Sequence, residues 1–122
     1  MHNSKIKKKI ITLIGPTACN KTSTAVHLIK KFPISIIGVD SVQIYKRFNI
    51  GSAKPPKEIL EKYKHHLVDS ADPENIFSVK DFYDQAYRIV MQAHSNNRIP
   101  LLVGGTMMYF NALFKGINDI PE

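Results

Sequence analysis

The chain holds a single cysteine, three arginines among its seventeen basic residues, and no run approaching the roughly 18 apolar residues of a membrane span. One cysteine, Cys19, excludes an internal disulfide and a multi-cysteine zinc site, and within its loop it reads as a small residue rather than a nucleophile. Met1 to Lys9 lacks the apolar stretch of a signal peptide, so the expectation is a cytoplasmic protein with no membrane partner. Internal repeats, low-complexity segments and linkers are also missing. At 122 residues the chain is one domain by size and long enough to bury a small core. Its formal charge of +7 favours an anionic partner such as nucleic acid or a diphosphate. The signal is modest, because fourteen lysines alongside sixteen isoleucines and eight asparagines also fit a genome biased toward those residues. The cluster Lys5, Lys7, Lys8 and Lys9 reads more readily as a solvated entry into the first strand than as a phosphate contact.

What is present is organised around Gly15-Pro16-Thr17-Ala18-Cys19-Asn20-Lys21-Thr22, which follows the apolar run Ile10 to Ile14 and precedes a helical pattern. This is the phosphate-loop pattern G-x-x-x-x-G-K-[ST] in all but one position. Small residues let successive backbone N–H groups converge on phosphate oxygens, and the start of the helix adds its positive dipole end. Lys21 would neutralise phosphate and Thr22 would hold Mg²⁺. Asn20 replaces the second glycine. Asparagine tolerates left-handed backbone better than other side chains, so the loop can close, but its bulk takes space a phosphate needs and weakened binding is expected.

Taken in order, Lys8 to Ile14 reads as a buried strand. Ala25, Leu28, Ile29 and Phe32 then recur at helical spacing until Pro33 stops the helix. Ile34 to Val39 is a second strand that delivers Asp40-Ser41 at its carboxyl end. Gln43 to Pro56 reads as loop or short helical turn, Glu58 to Lys62 as a mostly solvated helical segment, and Leu67-Val68 as part of a short strand leading to Asp69. Ser78 and Asp81 form a capping box with Asp in place of Glu, opening a helix whose stripe is Val79, Phe82, Tyr83, Ala86, Ile89, Val90 and Ala93. Asn96-Asn97 ends it, Ile99 to Val103 is a further buried strand, and Gly104-Gly105-Thr106 is a second tight turn. Met107 to Phe114 reads as a helix stopped by Gly116. The βαβ alternation predicts an α/β fold with a parallel sheet.

Three polar turns, Gly15 to Thr22, Asp40 to Gln43 and Gly104 to Thr106, each follow a strand and should gather along one sheet edge. Asp40 reads as a metal ligand, a general base, or a cap or turn residue. His65 and His66 suit a structural role better than a metal site, since neighbours on a strand face opposite ways. Tyr45 and Tyr109 fit base stacking and packing equally well, and Met107-Met108 reads as core filling. On these residues alone, phosphoryl transfer and diphosphate displacement are not separable.

The order of motifs is more specific. GPTACNKTSTA (Gly15 to Ala25), DSVQIYKRFNIGSAKP (Asp40 to Pro55), HHLVDSADP (His65 to Pro73), FSVKDFYDQA (Phe77 to Ala86) and GGTMMYFNALFKGI (Gly104 to Ile117) resemble the N-terminal part of the bacterial tRNA dimethylallyltransferases, the IPP transferase family. The resemblance implies a P-loop NTPase-like three-layer fold, incomplete at its C-terminal end. It also implies transfer of a dimethylallyl group from dimethylallyl diphosphate to N6 of adenosine 37 in the tRNA anticodon loop, with Mg²⁺ as cofactor. Residues 15 to 22, with Lys21 and a Thr22-held Mg²⁺, would stabilise the leaving diphosphate. Asp40 would accept the amine proton, Asp40, Ser41, Val42 and Gln43 would face the target nucleotide, and Thr106 would sit near the reacting amine.

The chain departs from the family at Asn20 and at Met107, where another glycine usually follows Gly-Gly-Thr. It also stops at Glu122, whereas family members run to twice this length or more. Residues 1–122 are therefore expected to be the N-terminal portion of a P-loop-containing domain, without the helical tRNA-binding insertion and the C-terminal part. An exposed sheet edge, marginal stability and association are expected for such a chain, against a monomer for the family. A small-molecule P-loop kinase or nucleotidase, a non-catalytic phosphate-binding remnant, and an enzyme that prenylates free adenine nucleotides remain the alternatives.

Overall fold

The computed structural model describes residues 9–15, 21–46 and 54–118. Among them the elements are β1 (Ile11–Ile14), α1 (Lys21–Lys31), β2 (Ile34–Val39), α2 (Lys57–Lys62), β3 (His65–His66), α3 (Val79–Ser95), β4 (Ile99–Gly104) and α4 (Met107–Asn118). All the strands run parallel, in the order β1-β4-β2-β3. From β1 the chain steps outward through α1 to β2 and on to β3, then returns through α3 and inserts β4 between β1 and β2. Outward and return crossovers of one hand require helices on opposite faces of the sheet.

The alternation of strand residues divides the core accordingly. Ile36 pairs with Leu101 and Ile37 with Leu102, so each strand sends neighbouring side chains to opposite faces. Ile34, Ile36 and Leu101 pack with Ala25 of α1. Ile37, Val39 and Leu102 pack with Phe82, Ala86 and Val90 of α3 and with Phe110 and Leu113 of α4. The result is three layers, as expected from the sequence. Helix α3 starts where its capping box predicts: the Asp81 N–H donates to Ser78 Oγ at 3.0 Å, and the Ser78 N–H donates to the Asp81 carboxylate at 2.9 Å. Those bonds hold the Asp81 carboxyl below its usual range. At the other end Asn96 caps the helix and Asn97 turns the chain with φ 59°.

Several expectations are corrected. The first strand is not buried: β1 pairs with β4 alone among the described residues, and Ile14 is 50% exposed. Phe32, just past the end of α1, still donates its N–H to the Leu28 carbonyl at 2.9 Å, yet its side chain is half-exposed rather than part of the buried stripe. The short strand ends at His66. Leu67 and Asp69 adopt left-handed backbone (φ 62° and 55°), so the chain turns there while Leu67 and Val68 remain buried. Gly116 does not stop α4, which continues to Asn118. A Cβ at Gly116 would lie 2.2 Å from the Tyr83 ring, so this glycine serves the close approach of α3 and α4. Met107 and Met108 do not fill core; both are exposed on the first turn of α4.

Candidate active site

The turns after β1, β2 and β4 are laced together at the carboxyl edge of the sheet. The Gly15 N–H donates to the Gly104 carbonyl at 3.2 Å, the Thr106 N–H to the Val39 carbonyl at 3.2 Å, and the Ser41 N–H to Thr106 Oγ1 at 2.9 Å. Side chains between these turns would hold them apart. A Cβ on Gly104 would stand 2.0 Å from the Val39 carbonyl oxygen, and one on Gly105 would stand 2.9 Å from that of Gly15. The glycine pair is thus what lets the three strand ends converge.

Lys21, the first residue of α1, donates from Nζ to the Gly15 carbonyl and so folds back over the start of its own loop. Lys21, Thr22, Gln43, His65, Val68 and Gly104 share one narrow cleft. Its enclosed volume is about 40 Å³, room for a water or two. Pro16, Thr17, Ala18, Cys19 and Asn20 lie outside the described residues, as do Lys5, Lys7 and Lys8 of the basic cluster.

Asp40 sits at the end of β2 and holds the next turn in place. Its Oδ1 accepts from the Val42 N–H at 2.8 Å and the Gln43 N–H at 3.0 Å, while the Ile44 N–H donates to its carbonyl at 3.3 Å. This is a turn-forming, cap-like role, and both side-chain bonds use the same oxygen. Because Gln43 also lines the Lys21 cleft, the Asp40 turn and the Lys21 cleft belong to one rim. Ser41 and Thr106 stand within it, their hydroxyl oxygens 3.4 Å apart. Val42 projects outward, 47% exposed.

The magnesium expectation rests on Thr22. Mg²⁺ keeps most of its water and takes only one or two protein oxygens when phosphates supply the rest, so a lone hydroxyl beside a lysine in a cleft is a donor set that fits. Burial lowers the His65 pKa, opposed by the hydrogen bond to the Tyr63 carbonyl. His66 opens onto the other side of β3, as alternation along the strand requires. Tyr109 is buried and stacks on Phe82 with ring centroids 4.2 Å apart, and that burial raises its phenol pKa. The Tyr45 hydroxyl accepts from the Phe77 N–H at 3.1 Å. Both tyrosines therefore serve packing.

Two features escaped the sequence reading. The first is Lys54, whose side chain is only 6% exposed; its Nζ donates to the Tyr45 carbonyl at 2.6 Å and to Asp69 Oδ1 at 2.9 Å. Together with the Asp69 N–H to Gln43 carbonyl bond and the Tyr45–Ala71 bridge, it ties the Asp40 turn to residues 69–71. Its signal was its place within the stretch Gly51 to Pro55. The second is a set of exposed apolar side chains on the same edge: Ile14, Val42, Met107 and Met108.

Comparison with known proteins identifies the family. The model of the IPP transferase family matches residues 43–122. The tRNA dimethylallyltransferase of Dichelobacter nodosus is 47% identical over 112 residues, covering 92% of this chain and 35% of that protein. The tRNA dimethylallyltransferase 2 of Hahella chejuensis is 45% identical over the full 122 residues, which span 37% of its length. Among solved structures, the full-length tRNA isopentenylpyrophosphate transferase of Bacillus halodurans superposes with a TM-score of 0.82 at 40% identity, over 93% of this chain and 38% of that one. A eukaryotic dimethylallyltransferase acting on tRNA gives 0.81 at 29% identity, over 93% and 28%. The chain thus spans little more than a third of the curated relatives named here. With residues 43–122 matching its model and the parallel sheet with its flanking helices superposing on a solved member, the chain belongs to the IPP transferase family.

Proposed function

We propose that this chain is the donor-binding and base-bearing portion of a tRNA dimethylallyltransferase. It moves a dimethylallyl group from dimethylallyl diphosphate to N6 of adenosine 37 in the anticodon loop. The observation that carries this reading is the single rim joining the Lys21–Thr22 cleft to the Asp40–Gln43 turn. Since that cleft is too small for a diphosphate, the donor lies at its mouth, over Lys21 and Thr22 at the start of α1. As the allylic C–O bond breaks, negative charge collects on the departing diphosphate, where Lys21 and aligned N–H groups stabilise it. Mg²⁺ held by Thr22 and diphosphate oxygens would supply further neutralisation.

The adenine amine is a weak nucleophile because its lone pair is delocalised into the ring. The carboxylate of Asp40 takes its proton as the N–C bond forms, and Oδ2 is the oxygen available for it while Oδ1 holds the turn. Ser41, Val42, Gln43 and Thr106 position the base. Exposed apolar groups at Ile14, Val42, Met107 and Met108 favour an isoprenoid donor over the ATP of a kinase. As proposed, residues 1–122 are the N-terminal portion of the catalytic domain, and the protein works in the cytoplasm.

The test combines Mg²⁺, labelled dimethylallyl diphosphate and unmodified tRNA, followed by digestion and detection of N6-prenyl-adenosine. Asp40→Asn keeps an oxygen for the turn but cannot take a proton, so product formation should fall by about 10²–10⁴-fold while donor affinity stays within twofold or so. Wild-type turnover in that variant would remove Asp40 from the chemistry. ATP consumption without any prenyl donor would favour the kinase reading, and AMP replacing tRNA as acceptor would favour prenylation of free nucleotides.

A further inference from the structure

At the amino ends of the strands, away from the Lys21 rim, lies a second cleft of about 370 Å³. It is bounded by the last turns of α1 and α3, the start of β2, and the passage from α2 into β3. Its lining carries Lys62, Lys64, His66 and Arg98 and no carboxylate. Arg98 is anchored rather than mobile: Nε donates to Ser35 Oγ at 3.0 Å and Nη2 donates to the Ile34 carbonyl. A guanidinium has five N–H donors, so this fixation leaves further donors in a preset fork, the arrangement that suits phosphate.

Cations at helix carboxyl ends have a simpler explanation, since each such end carries roughly half a negative charge. Here three ends, those of α1, α2 and α3, face three formal cations, and the balance stays positive. The imidazole of His66 reports that excess: burial lowers its pKa first, and the charges of Lys64 and Arg98 lower it further. The size lies in the range of small-molecule sites, roughly 300–1,000 Å³. Ile29 and Ile89 give the cleft apolar wall, and Lys62 stands 5.6 Å from the centre of the Tyr63 ring.

We propose that this amino-edge cleft binds a small phosphate monoester of the nucleoside monophosphate class, its phosphate on Arg98 and Lys64 and its body against Ile29, Ile89 and Tyr63. The site is separate from the diphosphate cleft, and its occupancy does not depend on the proposed prenyl transfer.

Strand β3 provides a built-in pair of reporters, because His65 lines the Lys21 cleft and His66 this one. The experiment follows both imidazoles by NMR during an AMP titration of the Lys21→Ala chain, with adenosine as the phosphate-free control. AMP should shift the His66 resonances and raise its pKa while His65 stays put, and adenosine should do neither. Lys64→Gln, an exposed position that leaves the fold alone, should weaken the AMP effect about tenfold, the loss of one charged hydrogen bond. The proposal is overturned if AMP leaves His66 unmoved at millimolar concentration, if adenosine acts as strongly as AMP, or if Lys64→Gln changes nothing. An anticodon stem-loop RNA that shifts His66 when AMP does not would also overturn it, in favour of a phosphodiester contact.

Discussion

The two faces of the sheet are built to different standards. On the α3–α4 face, Phe82, Ala86, Val90, Phe110 and Leu113 are buried against Ile37, Val39 and Leu102, and the Phe82–Tyr109 and Phe110–Phe114 rings stack. On the α1 face the fully buried set is Ala25, Ile34, Ile36 and Leu101, with Leu28 and Ile29 only partly covered. The helix bearing Lys21 and Thr22 belongs to the thinner face. Stability is thus concentrated on one side of the sheet, while much of the proposed donor chemistry stands on the other.

The sharpest way to break this contrast is to truncate one side chain on each face. Phe110→Ala should cost about 3–5 kcal/mol, a large share of a small domain's stability, whereas Leu28→Ala should cost less than half as much. Equal losses in urea unfolding would show that the faces contribute alike. Next in size is Gly116→Ala. Its methyl must displace the Tyr83 ring, so a loss of about 1–3 kcal/mol is expected despite the better helix propensity of alanine. If thermal unfolding shows a gain instead, α3 and α4 are less closely packed than the geometry indicates. Ser78→Ala removes one half of the capping box and should cost about 1 kcal/mol, again on the thick face.

The smallest expected effect is a pH dependence, and it belongs to β3. His65 and His66 both have native pKa values below the ordinary imidazole value, so the unfolded chain binds protons that the native state resists. Their contribution is fully present above about pH 6.5 and is lost as pH falls through that value toward the lower native ones. The thermal midpoint should therefore drop on acidification in this window, and His66→Gln should flatten part of the slope. Asp81 acts in a lower window: its stabilisation is present above about pH 4 and is lost below it. An unchanged slope in His66→Gln would assign the dependence to other groups.

Which parts of this were legible in the sequence follows from where the information resides. The bounds of β2 and the start and stripe of α3 are written in consecutive residues, as a short apolar run, a capping box and a 3.6-residue period. The gathering of the Gly15, Asp40 and Gly104 turns follows from parallel strands, which bring their carboxyl ends to one edge. Gly116 was misread because its role depends on Tyr83, thirty-three positions earlier, and not on its helical neighbours. Met107 and Met108 open a helix whose buried side begins at Tyr109 and Phe110, a phase that an apolar run does not reveal. Lys54 looked like one lysine of fourteen until folding enclosed it between Tyr45 and Asp69.

The strand order carries a consequence for the sequence of events during synthesis. Among the described residues β1 and β2 do not pair with each other; β1 pairs with β4, β2 with β3 and β4, and β4 begins only at Ile99. A ribosome has therefore released most of this chain before the middle strand exists to join them, and until then the Gly15 and Asp40 turns have no common scaffold. Early-made β1 must wait unpaired, and β2 with only the short β3 beside it, for a late strand to close the gap, so chaperone capture of nascent chains should cease abruptly once Gly104 emerges.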